Sequence, residues 1–549
     1  MTTTVEHATA RAPYSSARAS HLTGTWHLIR LALRRDRIVL PIWLLVLALA
    51  PAGTVGAYEQ LYPTQVEREA LTASMGNNPS IALLYGPAFD LSTAGGFTAW
   101  RFGTLLPLFL ALVCVFTMTR HTRQEEDTGR QELLSSTVLG RYAALTASVV
   151  VCSVFGLATG LLTAGALIGA GLSATGSLAL GLGFASVTWV FTAVAAITAQ
   201  LAEYSRTANG IASAVLGVTF AFRALGDAAT DVSWLSWLSP IGWSTQLRPF
   251  ADERFWVLLI PLAVTVALLA VAYALQPRRD IGMGLLPTSL GPSGAAPSLR
   301  TPFALALRLH RGVFIGWLTG FAVMAVLFGG MAAGIGDLVG TSEQARQVFE
   351  RMGGSDAIVE AFLAAMANSF GMVATLYAVQ AALRMRAEES AVRVEPLLAT
   401  GVGRLRWMGG HLVFVLLGSA LLLAGAGLGM GLAHGLRVGD VGGQVSAVLV
   451  ACIAQLPAVW LVAGVAVAVF GAVPKLTNTV WAVAAVFLLI SMFGPALDLD
   501  QAVLDVSPFQ HIPKLPGEEL TVAPLAWLSA VAIAFIGAGM VAFRRRDIG

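Results

Sequence analysis

Charged residues are scarce in this sequence, and two matched segments hold a large share of them. Arg123–Arg141 and Arg386–Arg404 align without a gap, with nine of nineteen positions identical. In the first copy these are Arg123, Glu125, Glu126, Arg130, Glu132, Leu134, Thr137, Gly140 and Arg141. Adjacent carboxylates flanked by arginines can grip a partner's charges or pass force to neighbouring helices. They are not equipped for catalysis. No Ser/His/Asp grouping, metal-spaced histidine cluster or paired carboxylate stands at membrane depth. Cys114, Cys152 and Cys452 lie singly in apolar runs and read as small packing residues, supporting neither disulfide nor metal. The two lysines, Lys475 and Lys514, sit in no Gly-x-x-x-x-Gly-Lys-Ser/Thr loop, so this chain is not expected to hold nucleotide phosphates. The plain alternative for both segments is a solvated loop between helices.

The elements that must position these segments are read from composition. Of 549 residues, 56% are hydrophobic and 12% charged, about half the charged share of a soluble chain. Crossing the hydrocarbon takes about 20 apolar residues. Twelve runs qualify: 38–57, 102–119, 142–167, 178–201, 208–225, 255–275, 313–335, 366–383, 408–432, 445–470, 479–495 and 524–543. None has an Asp, Glu, Lys or Arg at its centre. The sequence therefore predicts an all-α integral membrane protein with about twelve transmembrane helices. With the N-terminus inside, inner loops and termini hold 25 of the 34 Lys and Arg. That bias puts both termini in the cytoplasm. The inner basic surplus is then a topology signal and no argument for nucleic acid. Arg34, Arg35 and Arg37 before the first run mimic a secretory leader, but the pattern recurs mid-chain and reads as a retained helix.

The chain repeats itself. Leu31–Trp43 matches Leu305–Trp317, Ser239-Pro240 corresponds to Ser507-Pro508, and Arg278-Arg-Asp-Ile-Gly282 returns as Arg545-Arg-Asp-Ile-Gly549. Two parallel six-helix repeats follow, related by an axis along the membrane normal. The expected organisation is a cytoplasmic N-terminus with an amphipathic interface helix (1–37), a first six-helix half (38–276), a Gly/Pro/Ser-containing linker (277–301) and a second half with its own interface helix (302–549). Each interface stretch (22–37 and 302–311) can lie on lipid, with arginines toward head groups. A long outer loop follows the first span of each half, with Met75-Gly76 echoed by Met352-Gly353.

The pattern Glu-x-x-x-Gly-x-x-Glu-Leu-Leu-x-x-x-x-x-x-Arg resembles the motif after the second helix in permeases of the type-two ABC exporter superfamily. The first copy fits through Glu125, Glu126, Gly129, Glu132, Leu133, Leu134 and Arg141. The second keeps Glu388, Glu389, Glu395, Leu397 and Arg404, with Val392 in place of glycine. Two six-helix units in one chain are similar to the fused bacterial "exporter of polyketide antibiotics" permeases. The resemblance implies a coupling helix in each segment and two copies of a separate ABC ATPase subunit, which would bind ATP and Mg. It also implies export of a hydrophobic small molecule by alternating access across the bacterial plasma membrane. In that family the second and fifth helices of each half line the pathway. Here they offer Phe109, Phe116, Phe220, Phe222, Met372, Trp481, Phe487 and Phe493, although aromatics in spans commonly just pack. The competing reading is a proton-coupled twelve-helix carrier, faintly suggested by Asp127-Thr-Gly-Arg130. It lacks the acid within the membrane that such carriers usually keep.

Overall fold

The computed structural model describes residues 21–75, 79–130, 139–228, 230–280, 282–286, 291, 293–339, 354–493 and 500–547. Among them are helices and connecting turns and no strand, and twelve helical stretches are long and apolar enough to span a membrane. Each overlaps one of the twelve runs read from the sequence, several extending beyond it. The chain divides into two compact units, residues 1–290 and 291–549.

In the first unit, α1 (Thr25–Arg35) is the expected amphipathic helix, with Trp26, Leu31 and Leu33 exposed along it. Pro51 cannot donate to the helix ladder, and the first span accordingly breaks there into α2 (Val39–Leu49) and α3 (Gly53–Leu61). Three short helices follow: α4 (Gln65–Met75), α5 (Pro79–Tyr85) and α6 (Ala94–Phe102). The second span is α7 (Leu105–Arg120), continued by α8 (Arg123–Asp127). The third and fourth spans, α9 (Ala143–Gly169) and α10 (Ala174–Leu201), form a hairpin whose glycines let backbones touch. The Ser173 hydroxyl caps α10 by accepting from the Gly176 N–H. The fifth span is α11 (Ser205–Ala228). A short α12 (Pro240–Gln246) precedes the sixth span, α13 (Leu259–Leu275). Phe184, Phe191, Leu110 and Met118 are fully buried where α7, α9 and α10 meet. The three cysteines are free and buried.

The second unit begins with α14 (Pro302–Val339), one unbroken helix. A separate interface helix over 302–311 is therefore not formed, and the reason lies at one aligned position. In the first unit Asp36 receives Arg120 and His121, at 2.7 and 2.5 Å, and α1 stops there. In the second unit the aligned residue is His310. It stacks on Phe414 and shares a 2.9 Å hydrogen bond with His411, staying inside the helix. The remaining helices are α15 (Gly354–Ser390), α16 (Val394–Ala399), α17 (Arg404–Val438), α18 (Val441–Ile453), α19 (Leu456–Ala472), α20 (Val480–Phe493), α21 (Gln501–Leu504) and α22 (Val522–Arg545). The tenth span is interrupted between α18 and α19, just before Pro457.

Candidate functional site

The two matched segments follow the second span of their unit, and a left-handed turn closes each span. In the first, Gly129 has φ 71° and donates its N–H to the Glu126 carbonyl, 3.0 Å away. In the second, Val392 adopts the same turn at φ 56°. Its N–H bonds the Glu389 carbonyl and the Arg393 N–H bonds the Glu388 carbonyl, at 2.9 and 3.1 Å. This is the paired closure of a helix that normally ends in glycine. The turn thus survives the loss of glycine, with a β-branched side chain held where L-residues are strained. Val392 is largely exposed and gains little packing in return. Val392→Gly is expected to stabilise the second unit by about 1 kcal/mol. The check is the thermal unfolding midpoint of detergent-solubilised protein, and a lowered midpoint would contradict the assignment.

The described acids of the first segment, Glu125, Glu126 and Asp127, point into their own unit. Glu125 pairs with Arg35 of α1. The Asp127 carboxylate accepts the Ser205 N–H at the start of α11, at 2.8 Å. Glu126 is gripped by both ends of the Arg279 guanidinium, at 2.6 and 2.7 Å, and also accepts from Arg123 and from the Gly282 N–H. Arg279 in turn donates to the Gln200 side chain at 2.6 Å. Arg141, the last residue of the segment, donates to the Pro277 carbonyl at 2.8 Å.

The second unit repeats this clamp. Arg546 holds Glu389 by both oxygens, at 2.7 and 2.8 Å. Arg404 donates to the Arg544 and Arg546 carbonyls, at 3.1 and 2.6 Å. Glu388 pairs with Arg384 and Arg393. In place of Gln200, Phe470 and Phe543 present ring faces to the Arg546 guanidinium, with centroids 5.1 and 5.2 Å away. Arg279 and Arg546 had no role in the sequence reading. The signal was present in the recurrence of Arg-Arg-Asp-Ile-Gly, whose second arginine is the clamp in both copies.

Other candidates are placed as follows. Glu132 and Leu134 lie outside the described residues, as do Gly76, Met352, Gly353 and the side chain of Phe493. Glu395 is exposed on α16 and Leu397 is half-buried against the core. Phe109 and Phe116 are exposed on α7, two turns apart, and Trp481 is exposed on α20. Phe220 lies under the Arg223 guanidinium at 4.8 Å, while Phe222 is half-buried. Met372 and Phe487 pack against the second unit's core. A cavity of about 280 Å³ in the first unit lies at the clamp, lined by Glu126, Arg141, Gln200 and Arg279 and not by these aromatics.

Twelve candidate spans on an all-α frame define an integral membrane protein, multi-pass in the plasma membrane. The chain belongs to the multidrug efflux permeases: the family model described as "Multidrug efflux system permease Rv1217c, C-terminal domain" matches residues 27–275 and 299–544. The multidrug efflux system permease protein Rv1217c of Mycobacterium tuberculosis is 42% identical over 540 residues, covering 98% of this chain and 97% of that protein.

Proposed function

We propose that this efflux permease is the membrane part of an ATP-driven exporter of the type-two ABC kind. Two copies of a separate ATPase subunit, which bind ATP and Mg, push on the two segments. Hydrophobic or amphipathic molecules of the polyketide-antibiotic or multidrug kind are then carried out by alternating access. The observation that carries the reading is the build of the segments. Glu125, Glu126, Asp127, Glu388 and Glu389 are hooks turned inward, while the second segment leaves Val392, Arg393, Glu395 and Pro396 exposed. A loop held from inside and open outside is suited to receive a push and pass it on. Phe109, Phe116 and Trp481, exposed on their units, are available to a translocation pathway. Glu125, Glu126, Glu388 and Glu389 are paired with arginine, as is Asp227 in the fifth span, which does not suit a proton relay.

The test is ethidium efflux from cells expressing the permease with its ATPase. Replacing the phosphate-binding lysine of the ATPase is expected to abolish efflux, and a protonophore to leave most of it. Efflux that survives the lysine replacement but collapses with the protonophore establishes the proton-coupled carrier instead.

A further inference from the structure

The repeated Arg-Arg-Asp-Ile-Gly segment stands directly after the last span of each unit. Its second arginine reaches back across 153 residues in the first unit and 157 in the second to a glutamate at the end of the second span. Both partners of each clamp are largely withdrawn from solvent, with side chains 8% and 9% exposed in one unit and 15% and 7% in the other. A two-toothed guanidinium–carboxylate contact fixes direction as well as distance, which a point charge cannot do. A second tie reinforces it, because Arg141 and Arg404 hold backbone carbonyls at the end of the same last span.

The surroundings of the two clamps differ while the fork is retained. An amide, Gln200, steadies Arg279, whereas two aromatic rings steady Arg546. What the two copies share is the geometry of the link and not the packing around it. We propose that Arg279 and Arg546 are positioning residues that join the last span of each unit to the segment after its second span. A displacement of the segment is thereby passed to that span without slack. This rests on the segments being the place where an ATPase pushes.

The two units should not depend equally on the fork. The first segment has two further ties, Glu125 to Arg35 and Asp127 to the start of α11. In the second unit Leu309 stands at the position of Arg35 and Ser390 at that of Asp127, whose hydroxyl donates to the Arg386 carbonyl of its own helix. Arg546 therefore carries more of the connection than Arg279.

The experiment uses the full permease with the ATPase that copurifies with it, reconstituted in proteoliposomes, with ethidium as probe. ATP hydrolysis and dye export are measured together. Arg546→Gln is expected to lower export per ATP hydrolysed by roughly tenfold, with hydrolysis and copurification retained. Arg279→Gln should lower it less, and Arg546→Lys should fall between Arg546→Gln and the parent. As a second readout, Glu389→Cys with Arg546→Cys should be uncoupled when reduced. It should recover when a short bifunctional thiol reagent bridges the pair, since the native Cys114, Cys152 and Cys452 are buried. Unchanged export per ATP in both glutamine variants overturns the positioning role and leaves the ATP-driven reading standing. Bridged cysteines that stay uncoupled also overturn it. A parent permease that binds no ATPase overturns the reading beneath.

Discussion

Gly431→Leu is expected to prevent the second unit from packing. Helix α17 carries glycine at 427, 431 and 435, one on each successive turn of the same face. A Cβ added at these positions would stand 2.7 Å from the Cα atoms of Leu449, Val445 and Val441 on α18. Those neighbours are backbone atoms, so no rotamer change relieves the clash. The hairpin must open along its length. Small residues are what allow helices in lipid to approach this closely, because dispersion contacts and not water exclusion hold them together. Overpacking a rigid contact costs about 1–3 kcal/mol, and a leucine against backbone belongs at or beyond the upper end. Detergent-solubilised Gly431→Leu should unfold well below the parent or fail to accumulate. Gly409→Ala is the control, since a Cβ there meets nothing within 4 Å. A Gly431→Leu protein as stable as the parent would rule out the backbone contact. The first unit uses the same device between its third and fourth spans, where Gly160 and Gly181 face each other and a Cβ on either would lie 2.2 or 2.1 Å from the other's carbonyl oxygen.

The spans were legible because hydropathy is a local property: an apolar run long enough to cross lipid announces itself without knowledge of its neighbours. Interruptions were harder to see. Pro51 marks a break on its own, but the stop after α1 depends on Asp36 meeting Arg120 and His121, 84 and more residues away. The exchange of Asp36 for His310 removes that pull and fuses α14 into one helix, which the similarity of Leu31–Trp43 to Leu305–Trp317 concealed. The segments themselves stood out through duplication, yet the direction of their acids did not. Charge runs read as surface, and only the fold reveals that Glu126 and Glu389 are occupied by arginines from the far end of their unit. Aromatic residues gave the weakest signal. Phe220 and Phe109 look alike in sequence, but one supports a buried guanidinium and the other is exposed on its unit.

Arg223→Leu is the second change expected to do great damage, at a residue that the apolar run ending near Leu225 hides. The fifth span continues as helix to Ala228, and Arg223 within it is fully buried. Its guanidinium donates to the carbonyls of Ala82, Leu83 and Leu84, at 3.3, 2.6 and 3.5 Å, at the end of α5. Asp227, one turn further on, pairs with it at 3.3 Å. The next two carbonyls, the last of α5 and the one just beyond it, are met by other side chains, Tyr85 by the Thr104 hydroxyl and Gly86 by the Trp100 indole N–H. The final carbonyls of a helix have no partner within it, and burying them demands donors from elsewhere. Arg223 thus docks α5 on the fifth span. The Ala82 carbonyl keeps the Gly86 N–H at 2.9 Å, but leucine in place of Arg223 strands the Leu83 and Leu84 carbonyls and leaves the Asp227 carboxylate buried without its cation, which costs about 3–5 kcal/mol. Replacing Asp227 by leucine as well removes the stranded charge but not the stranded carbonyls. The double variant should therefore recover only part of the loss in thermal midpoint. A cysteine introduced at Ala82 should become reactive to thiol reagents in both variants. If Arg223→Leu unfolds at the parent temperature with that cysteine still protected, α5 is held by packing alone.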